Sequence, residues 1–247
     1  MLKHYHGRMP HAMGEGSRIA FFGGSFDPPH CGHLAVARAA QAALQLDRVL
    51  FAPVAAQPLK PHGAGAGLEH RLAMTRLAIA GHAGLELSLA DAPDPSGAAP
   101  SPNYTIDTLD RLRRDLPSDS KLFCLMGADS FLGLRHWHRG AEIPFAAPLI
   151  VAARPGQSLA DLGAALPSGL SLTGGVAAES ESEPLAMRTY VLRNASGEVA
   201  PFYVLPSLHM DISASQIRSE IRRGARSIPS RLPGSVARYI AEHALYR

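Results

Sequence analysis

The prediction of the fold begins at residues 22–33, which read FGGSFDPPHCGH. An apolar run, Ile19 to Phe22, ends at two glycines, and an alanine-rich helical pattern begins at Leu34. Glycine lets a ligand approach the main chain closely, and the two prolines stiffen the loop. The stretch therefore predicts a strand, a Gly/Pro loop and a helix whose first backbone N–H groups can bind a phosphate. His30 and His33, at the entry to that helix, can face one ligand.

The rest of the chain alternates predicted strands and helices. A second strand at Arg48–Val54 follows the first helix, Leu34–Leu46, and this unit predicts parallel pairing with a right-handed crossover. Further strands are predicted at Leu85–Leu89, Lys121–Met126, Pro148–Ala153 and Phe202–Leu205, and further helices at Leu68–Ala80, Asn103–Leu116, Ser213–Arg223 and Val236–Ala244. The expected fold class is α/β, a Rossmann-like, doubly wound, mainly parallel sheet with helices on both faces and a small C-terminal helical part.

Two predicted helices begin at candidate capping residues. Asn103 can cap the helix that precedes the fourth strand, and Asp107 in its first turn suits the helix dipole. Ser213, followed three residues later by Gln216, predicts a capping box on the helix after the last strand.

Charge and cysteine content exclude several classes of protein. The chain of 247 residues has a formal charge of +3 and two cysteines, Cys31 and Cys124, which form no CxxC pair. A disulfide framework or a zinc site is therefore not expected. The expected location is the reducing cytoplasm. No apolar run approaches the ~20 residues that span a bilayer. The short basic run at residues 218–226 lacks aromatic residues for base stacking, so neither a membrane nor a nucleic acid is an expected partner.

The sequence divides into a short N-terminal segment and one domain. Residues 1–17 are rich in His, Gly and Met, lack the apolar core of a signal peptide and are expected to be a disordered N-terminal extension. Residues 18–247 are expected to form a single domain, with 174–186, where Ser and Glu nearly alternate, as a flexible surface loop. The sequence is compatible with a homo-oligomer and does not specify one.

Five motifs resemble those of one family. GGSFDPPHCGH, at residues 23–33, resembles the nucleotidyltransferases with a His-x-Gly-His motif, and over its full length it resembles the nicotinate mononucleotide adenylyltransferases. NYTIDTL at 103–109, GADSFLGLRHWH at 127–138, RPG at 154–156 and ISASQIR at 212–218 resemble that family in the expected order.

The resemblance implies adenylyl transfer from ATP to nicotinate mononucleotide, which gives deamido-NAD and pyrophosphate in NAD biosynthesis. It implies that His30, His33 and Arg218 are catalytic, because they would stabilise charge on the phosphates. The implied ATP-binding residues are Gly23, Gly24, Ser25, Phe26, His30, His33, Gly127, Asp129, Arg154, Ser213, Ser215 and Arg218. The implied residues for nicotinate mononucleotide are Ser25, Lys60, Tyr104, Thr105 and Trp137. Mg²⁺ is expected as a cofactor carried mainly by the ATP phosphates, without a protein metal site.

Several of these residues have plainer interpretations. Trp137 can stack on a pyridine ring or pack as a core tryptophan, and Lys60 can contact substrate or be a solvated lysine on a linker. Leu59 stands where the family commonly has a histidine, so the match at Lys60 is partial. Ser215 replaces the family's usual threonine and keeps the hydroxyl group.

One alternative function keeps the adenylyl-transfer reaction with another acceptor, and others lack that reaction. The same transfer to nicotinamide mononucleotide or phosphopantetheine is the nearest alternative, although phosphopantetheine enzymes resemble a shorter chain without the Trp137 segment. A non-catalytic nucleotide-binding regulator is the alternative from another class, and intact His30, His33 and Arg218 argue against it. A dehydrogenase is disfavoured because no G-x-G-x-x-G follows the first strand.

Overall fold

Parallel strand pairing organises the computed structural model, which describes residues 16–55, 65–92, 103–152, 159–176, 187–205, 208, 212–224 and 231–247. Eight strands of these residues form one sheet: β1 (Arg18–Gly24), β2 (Arg48–Pro53), β3 (Leu85–Leu87), β4 (Lys121–Gly127), β5 (Leu149–Ala152), β6 (Ser171–Val176), β7 (Arg188–Arg193) and β8 (Val199–Leu205). Their spatial order is β3-β2-β1-β4-β5-β8-β7-β6. Pairing is parallel from β3 to β8 along this order and antiparallel for β8–β7 and β7–β6.

Helices connect most of the strands. They are α1 (Cys31–Leu44), α2 (Leu68–Ile79), α3 (Thr105–Asp115), α4 (Ala128–Leu132), α5 (Ile143–Ala146), α6 (Leu159–Ala164), α7 (Ala214–Arg222) and α8 (Gly234–Glu242), with one 3₁₀ turn at Leu134–His136. In the part of the chain that the structure describes, no helix is both long and apolar enough to cross a membrane.

Alternating side chains of β1 show why helices cover both faces of the sheet. Phe22 belongs to a buried cluster that includes Ala40 of α1, whereas its neighbour Phe21 belongs to the cluster that includes Leu109 of α3. Successive residues of a strand point to opposite faces, so a strand whose central residues, 19–22, are all apolar and buried needs a helical layer on each side. The predicted doubly wound, mainly parallel class is confirmed.

The C-terminal helices form a third buried cluster with α2. Met74 of α2 and Ile217 of α7 are fully buried in it, together with Val236 and Ile240 of α8. This cluster is the small helical part that the sequence predicts.

The region after β5 is more regular than its sequence suggests. The sequence predicts no element between 157 and 201, yet α6, β6 and β7 lie there. Residues 174–176 of the predicted loop are the end of β6, and 177–186 lie outside the described residues. β6 contains two adjacent glycines, and its partners in β7 lie 22 residues away at Ser171–Arg193 and 13 residues away at Val176–Thr189. A local pattern cannot report such a pairing.

One of the two predicted N-caps is wrong, and the other is confirmed in position only. Tyr104, not Asn103, occupies the N-cap of α3, and the Asn103 side chain donates instead to the Asp91 carbonyl oxygen at 2.7 Å. Ser213 does occupy the N-cap of α7, but it makes no side-chain capping hydrogen bond, so the capping box with Gln216 is not formed. Asn103 has a competing acceptor in the chain before it, which spacing within the helix does not reveal.

Candidate active site

The glycine loop leaves β1 at the carboxyl edge of the parallel strands. A Cβ on Gly23 would lie 2.8 Å from the Phe21 ring, so no side chain fits there without displacing the core. Phe26, in the left-handed region with φ of 46°, folds its buried ring against Phe22 and Phe51. The loop is therefore held by its own aromatic residue while its two glycines stay open to a ligand.

The two motif histidines stack at the start of α1. Their ring centres are 3.7 Å apart, and His33 Nδ1 accepts a hydrogen bond from the His30 backbone N–H at 3.1 Å. A Cβ on Gly32 would lie 3.0 Å from His30 Nδ1, which explains physically why a glycine separates them. Because His33 Nδ1 accepts, a neutral His33 carries its proton on Nε2 and can donate it to a ligand oxygen.

Burial keeps both rings uncharged at neutral pH. His30 is 6% exposed, and burial lowers its pKa to about 4. Burial, and then the neighbouring His30, lower the pKa of His33 well below its usual value. His30 Nδ1 has no hydrogen-bond partner among the described residues. A neutral pair in which His30 Nδ1 has no partner and His33 Nε2–H can donate suits an incoming anion, whose charge would itself favour protonation of the rings.

Arg218 and Ser215 lie together on α7, as their spacing predicts. Arg218 Nη2 donates to Ser215 Oγ at 3.1 Å, and Nη1 donates to the main-chain oxygen of Asp27 at 2.6 Å. Ile212, just before α7, lies close to Gly32, since a Cβ there would be 3.7 Å from the Ile212 Cβ. The start of α7 therefore adjoins the start of α1, and the cation lies beside the histidine loop.

A cavity of about 370 Å³ opens at the carboxyl ends of β1 and β4. Its lining includes six of the residues predicted for the site: Gly23, Gly24, Tyr104, Thr105, Asp129 and Trp137. The rings of Tyr104 and His138 lie 4.3 Å apart beside it. His30, His33, Ser215 and Arg218 do not line this cavity, so among the described residues the predicted site has two parts, which the Gly23–Gly24 loop joins.

Trp137 lies between the core and the cavity. It packs on the buried cluster around β4 and also lines the cavity with part of its surface. An indole held on one side by the core has little freedom and offers a preformed surface to a flat ring.

Asp91 is a cavity residue that sequence reasoning missed. It is 5% exposed, and its Oδ1 accepts a hydrogen bond from the Thr108 hydroxyl at 2.6 Å. Burial raises the pKa of Asp91 to about 6, although Thr108 and Arg111 act in the opposite direction. Asp91 follows β3 as Asp129 follows β4, so the pattern of an acid just past a parallel strand could have found it.

Asp27 and Arg71 were missed as well. Asp27 is 3% exposed and Arg71 is 2% exposed. The Arg71 guanidinium donates to the carbonyl oxygens of Ser25 and Val54 at 2.9 and 2.8 Å, which ties the β1–α1 loop to the end of β2. The sequence gives no local signal for either role, because the partners are distant along the chain.

Two predicted residues, Lys60 and Arg154, lie outside the described part of the chain. The described residues contain no group of three or more His, Cys, Asp or Glu side chains that could hold a metal ion. The donor set of the described residues is imidazole, guanidinium, hydroxyl and backbone N–H, which fits phosphate oxygens.

The fold and this site define a nucleotidyltransferase. The model of the family described as "Cytidylyltransferase-like" matches residues 21–220. A probable nicotinate-nucleotide adenylyltransferase of Gloeobacter violaceus is 36% identical over 94% of this chain and 97% of its own length. A probable nicotinate-nucleotide adenylyltransferase of Bordetella petrii is 39% identical over 93% of this chain and 99% of its own length. The chain therefore belongs to the nicotinate-nucleotide adenylyltransferases within the cytidylyltransferase-like family.

A solved structure supports the fold. The Plasmodium falciparum nicotinic acid mononucleotide adenylyltransferase complexed with NaAD matches with a TM-score of 0.66 at 15% identity, covering 93% of this chain and 97% of that one. At this identity the likeness concerns the fold. Nucleotidyltransferases of this kind generally use a divalent metal ion together with the nucleotide.

Proposed function

We propose that this chain transfers the adenylyl group of ATP to nicotinate mononucleotide and releases pyrophosphate and nicotinate adenine dinucleotide. One observation carries the proposal: the stacked His30–His33 pair and the Trp137 cavity lie at one edge of the sheet, joined by the Gly23–Gly24 loop. Groups suited to phosphate and a surface suited to a flat ring lie side by side, which supports a reaction that must bring two such substrates together.

The chain's own residues bind, orient and stabilise charge. An oxygen of the mononucleotide phosphate attacks the α-phosphorus of ATP, and the bond from that phosphorus to the bridging oxygen of pyrophosphate breaks. No protein nucleophile is needed. We assign the donors of His30 and His33 to the α-phosphate and the departing oxygens, where charge develops in the transition state. Ser213, Ser215 and Arg218 at the start of α7 take the outer phosphates.

The remaining ATP contacts follow from position. We assign the loop at Gly24, Ser25 and Phe26 to contacts along the nucleotide. We assign Asp129, which lies just past β4, to hydrogen bonds with the ribose hydroxyls. The assignments of Arg154 to ATP and of Lys60 to nicotinate mononucleotide remain predictions. Mg²⁺ carried by the ATP would neutralise part of the negative charge of the phosphates.

The acceptor end is assigned to the cavity. Trp137 supplies the stacking surface, and the first turn of α3 at Tyr104 and Thr105 supplies backbone N–H groups and the positive end of a helix dipole. These favour the nicotinate carboxylate over a neutral amide.

Pyrophosphate release from Mg-ATP with each mononucleotide tests the proposal. We expect nicotinate mononucleotide to be preferred by at least ~10-fold in kcat/KM, the effect of about 1.4 kcal/mol. Trp137→Ala should weaken both acceptors and leave most of that ratio, while Trp137→Phe, which keeps a flat ring, should retain more activity with both. No pyrophosphate release with either mononucleotide would refute the assignment.

The same transfer to nicotinamide mononucleotide is a second candidate because of Asp91. Its carboxyl group lines the cavity, and above its pKa of about 6 it carries a negative charge that repels a nicotinate carboxylate. A preference for the amide in the competition assay would support this candidate and show that Asp91 outweighs the start of α3.

A further inference from the structure

The Asp27 carboxylate joins four segments that are distant along the chain. Its Oδ2 accepts from the Gly65 backbone N–H at 2.6 Å, and its Oδ1 accepts from the Ala66 N–H at 3.1 Å and the Tyr246 hydroxyl at 2.7 Å. Arg218 Nη1 lies 3.5 Å from Oδ2. Asp27 itself is in the loop of the histidine motif, so the loop, the start of α2, α7 and the end of the chain meet at one side chain.

Arg218 is held by the same residue in two ways. Its Nη1 contacts both the main-chain oxygen of Asp27, at 2.6 Å, and the carboxylate. Its Nη2 donates to Ser215 Oγ, and 23% of its side chain is exposed. A guanidinium fixed at Nη1 and Nη2 has a defined plane, and the exposed part of that plane is what a phosphate can use.

Tyr246 fixes the carboxylate. It is 9% exposed and packs in the cluster that contains Ile217, the residue before Arg218. Burial, and then the bond to Asp27, raise the pKa of Tyr246, so its hydroxyl keeps the proton that it donates. Since Tyr246 and Ala66 hold Oδ1, Oδ2 is directed at Gly65 and Arg218.

The packing around this contact leaves little room for adjustment. A Cβ on Gly65 would lie 3.1 Å from Arg218 Cδ, 3.3 Å from Asp27 Oδ2 and 3.3 Å from Tyr246 Cε1. All three side chains lie around one glycine, so a larger residue at this position would have to displace at least one of them.

We propose that Asp27 and Tyr246 are positioning residues for Arg218: the tyrosine hydroxyl orients the Asp27 carboxylate, and the carboxylate orients the guanidinium that binds the triphosphate of ATP. This inference rests on the proposed function, in which Arg218 contacts ATP. In this inference Tyr246 influences the binding of ATP and does not influence the binding of nicotinate mononucleotide, because the acceptor cavity is lined by different residues.

Tyr246→Phe tests the proposal, because it removes the hydroxyl and keeps the ring in its cluster. We expect the KM for ATP to rise by about 5–10-fold, the scale of the net contribution of one hydrogen bond. The KM for nicotinate mononucleotide should change by less than ~2-fold. Tyr239→Phe is the matched control: its hydroxyl lies 3.0 Å from His70 Nδ1 in the same helical part, away from Asp27, and its loss should leave both KM values unchanged.

A double-mutant cycle separates positioning from a general structural effect. In an Arg218→Ala background, Tyr246→Phe should change the KM for ATP by less than ~2-fold, since there is no guanidinium left to orient. Equal rises in both KM values, or the full effect of Tyr246→Phe without Arg218, would overturn the proposal. Gly65→Ala provides a second variant, because its methyl group presses on Arg218 Cδ; it should raise the KM for ATP selectively.

The proposed function can fail separately from this inference. If the wild-type protein released no pyrophosphate with any mononucleotide, the wild type, Tyr246→Phe, Arg218→Ala and the double variant would be compared by calorimetric titration with ATP alone. A Kd for ATP that rises in Tyr246→Phe, and does not rise further when that change is added to Arg218→Ala, would support the positioning role. Identical Kd values in wild type and Tyr246→Phe would refute it.

Discussion

Replacing Asp91 by asparagine should reveal the cost of keeping a carboxylate in the cavity wall. Asp91 is 5% exposed, and burial raises its pKa to about 6 from an ordinary value of 3.8. Above pH 6 the folded chain therefore contains a buried charge that the unfolded chain solvates freely. In Asp91→Asn the amide would still offer an oxygen to the Thr108 hydroxyl and would carry no charge.

The magnitude follows from proton linkage. The pKa is higher in the folded state, so folding is most favoured below pH 3.8, and stability is lost as the pH rises from there to about 6. At about 1.36 kcal/mol per pKa unit, the full cost is about 3 kcal/mol at pH 8 and about 1.6 kcal/mol at pH 5. The unfolding free energy of Asp91→Asn, relative to wild type, should thus increase by about 1.4 kcal/mol between pH 5 and pH 8.

Urea unfolding of the wild type and of Asp91→Asn at a series of pH values provides the measurement. Subtracting one curve from the other cancels groups common to both, including His30, whose lowered pKa makes stability fall as the pH drops from 6.5 toward 4. Thr108→Val serves as a companion variant: without its hydroxyl, the pKa of Asp91 rises further and the loss of stability extends to higher pH. A difference between Asp91→Asn and wild type that is flat from pH 5 to 8 would refute the reasoning.

Two predictions concern the histidine motif. His33→Ala should lower kcat by at least ~100-fold, the effect of losing one preorganised charge-stabilising donor, while circular dichroism shows an intact fold; a folded variant with near-normal kcat would contradict the assigned role. Gly32→Ala places a methyl group 3.0 Å from His30 Nδ1 and 3.1 Å from its Cε1, so the ring must shift. We expect kcat to fall by about 10-fold with little change in either KM, the signature of an interaction made mainly in the transition state; Gly67→Ala, which meets no atom within 4 Å, is the control in steady-state kinetics.

Local chemistry made the histidine loop predictable. Gly23–Gly24 after an apolar strand, two prolines and the following alanine-rich helix each act on their own neighbourhood, so the strand, loop and helix follow directly from the sequence. The structure starts α1 at Cys31, three residues before the predicted start, because His30 already has the extended backbone of an N-cap.

Long-range contacts made the rest unpredictable. Asp27 has partners 38, 39, 191 and 219 residues away, far beyond the range of any local sequence pattern. Arg71 looks like a solvent-exposed residue of a helix, yet its guanidinium is buried among carbonyl oxygens. The hairpin of β6 and β7 depends on cross-strand pairing, which two adjacent glycines in β6 make weak as a sequence signal.

The two margins of the sheet limit how the molecule can associate. Among the described strands, β3 forms one margin with only three residues, and β6 forms the other, with its register interrupted between Thr173 and Gly175. A short strand and a bulged strand are poor templates for a further strand, because neither presents a long row of unpaired N–H and C=O groups. Self-assembly by adding strand to strand at these two margins is therefore disfavoured, which directs attention to helical and loop surfaces for any contact between copies of this chain.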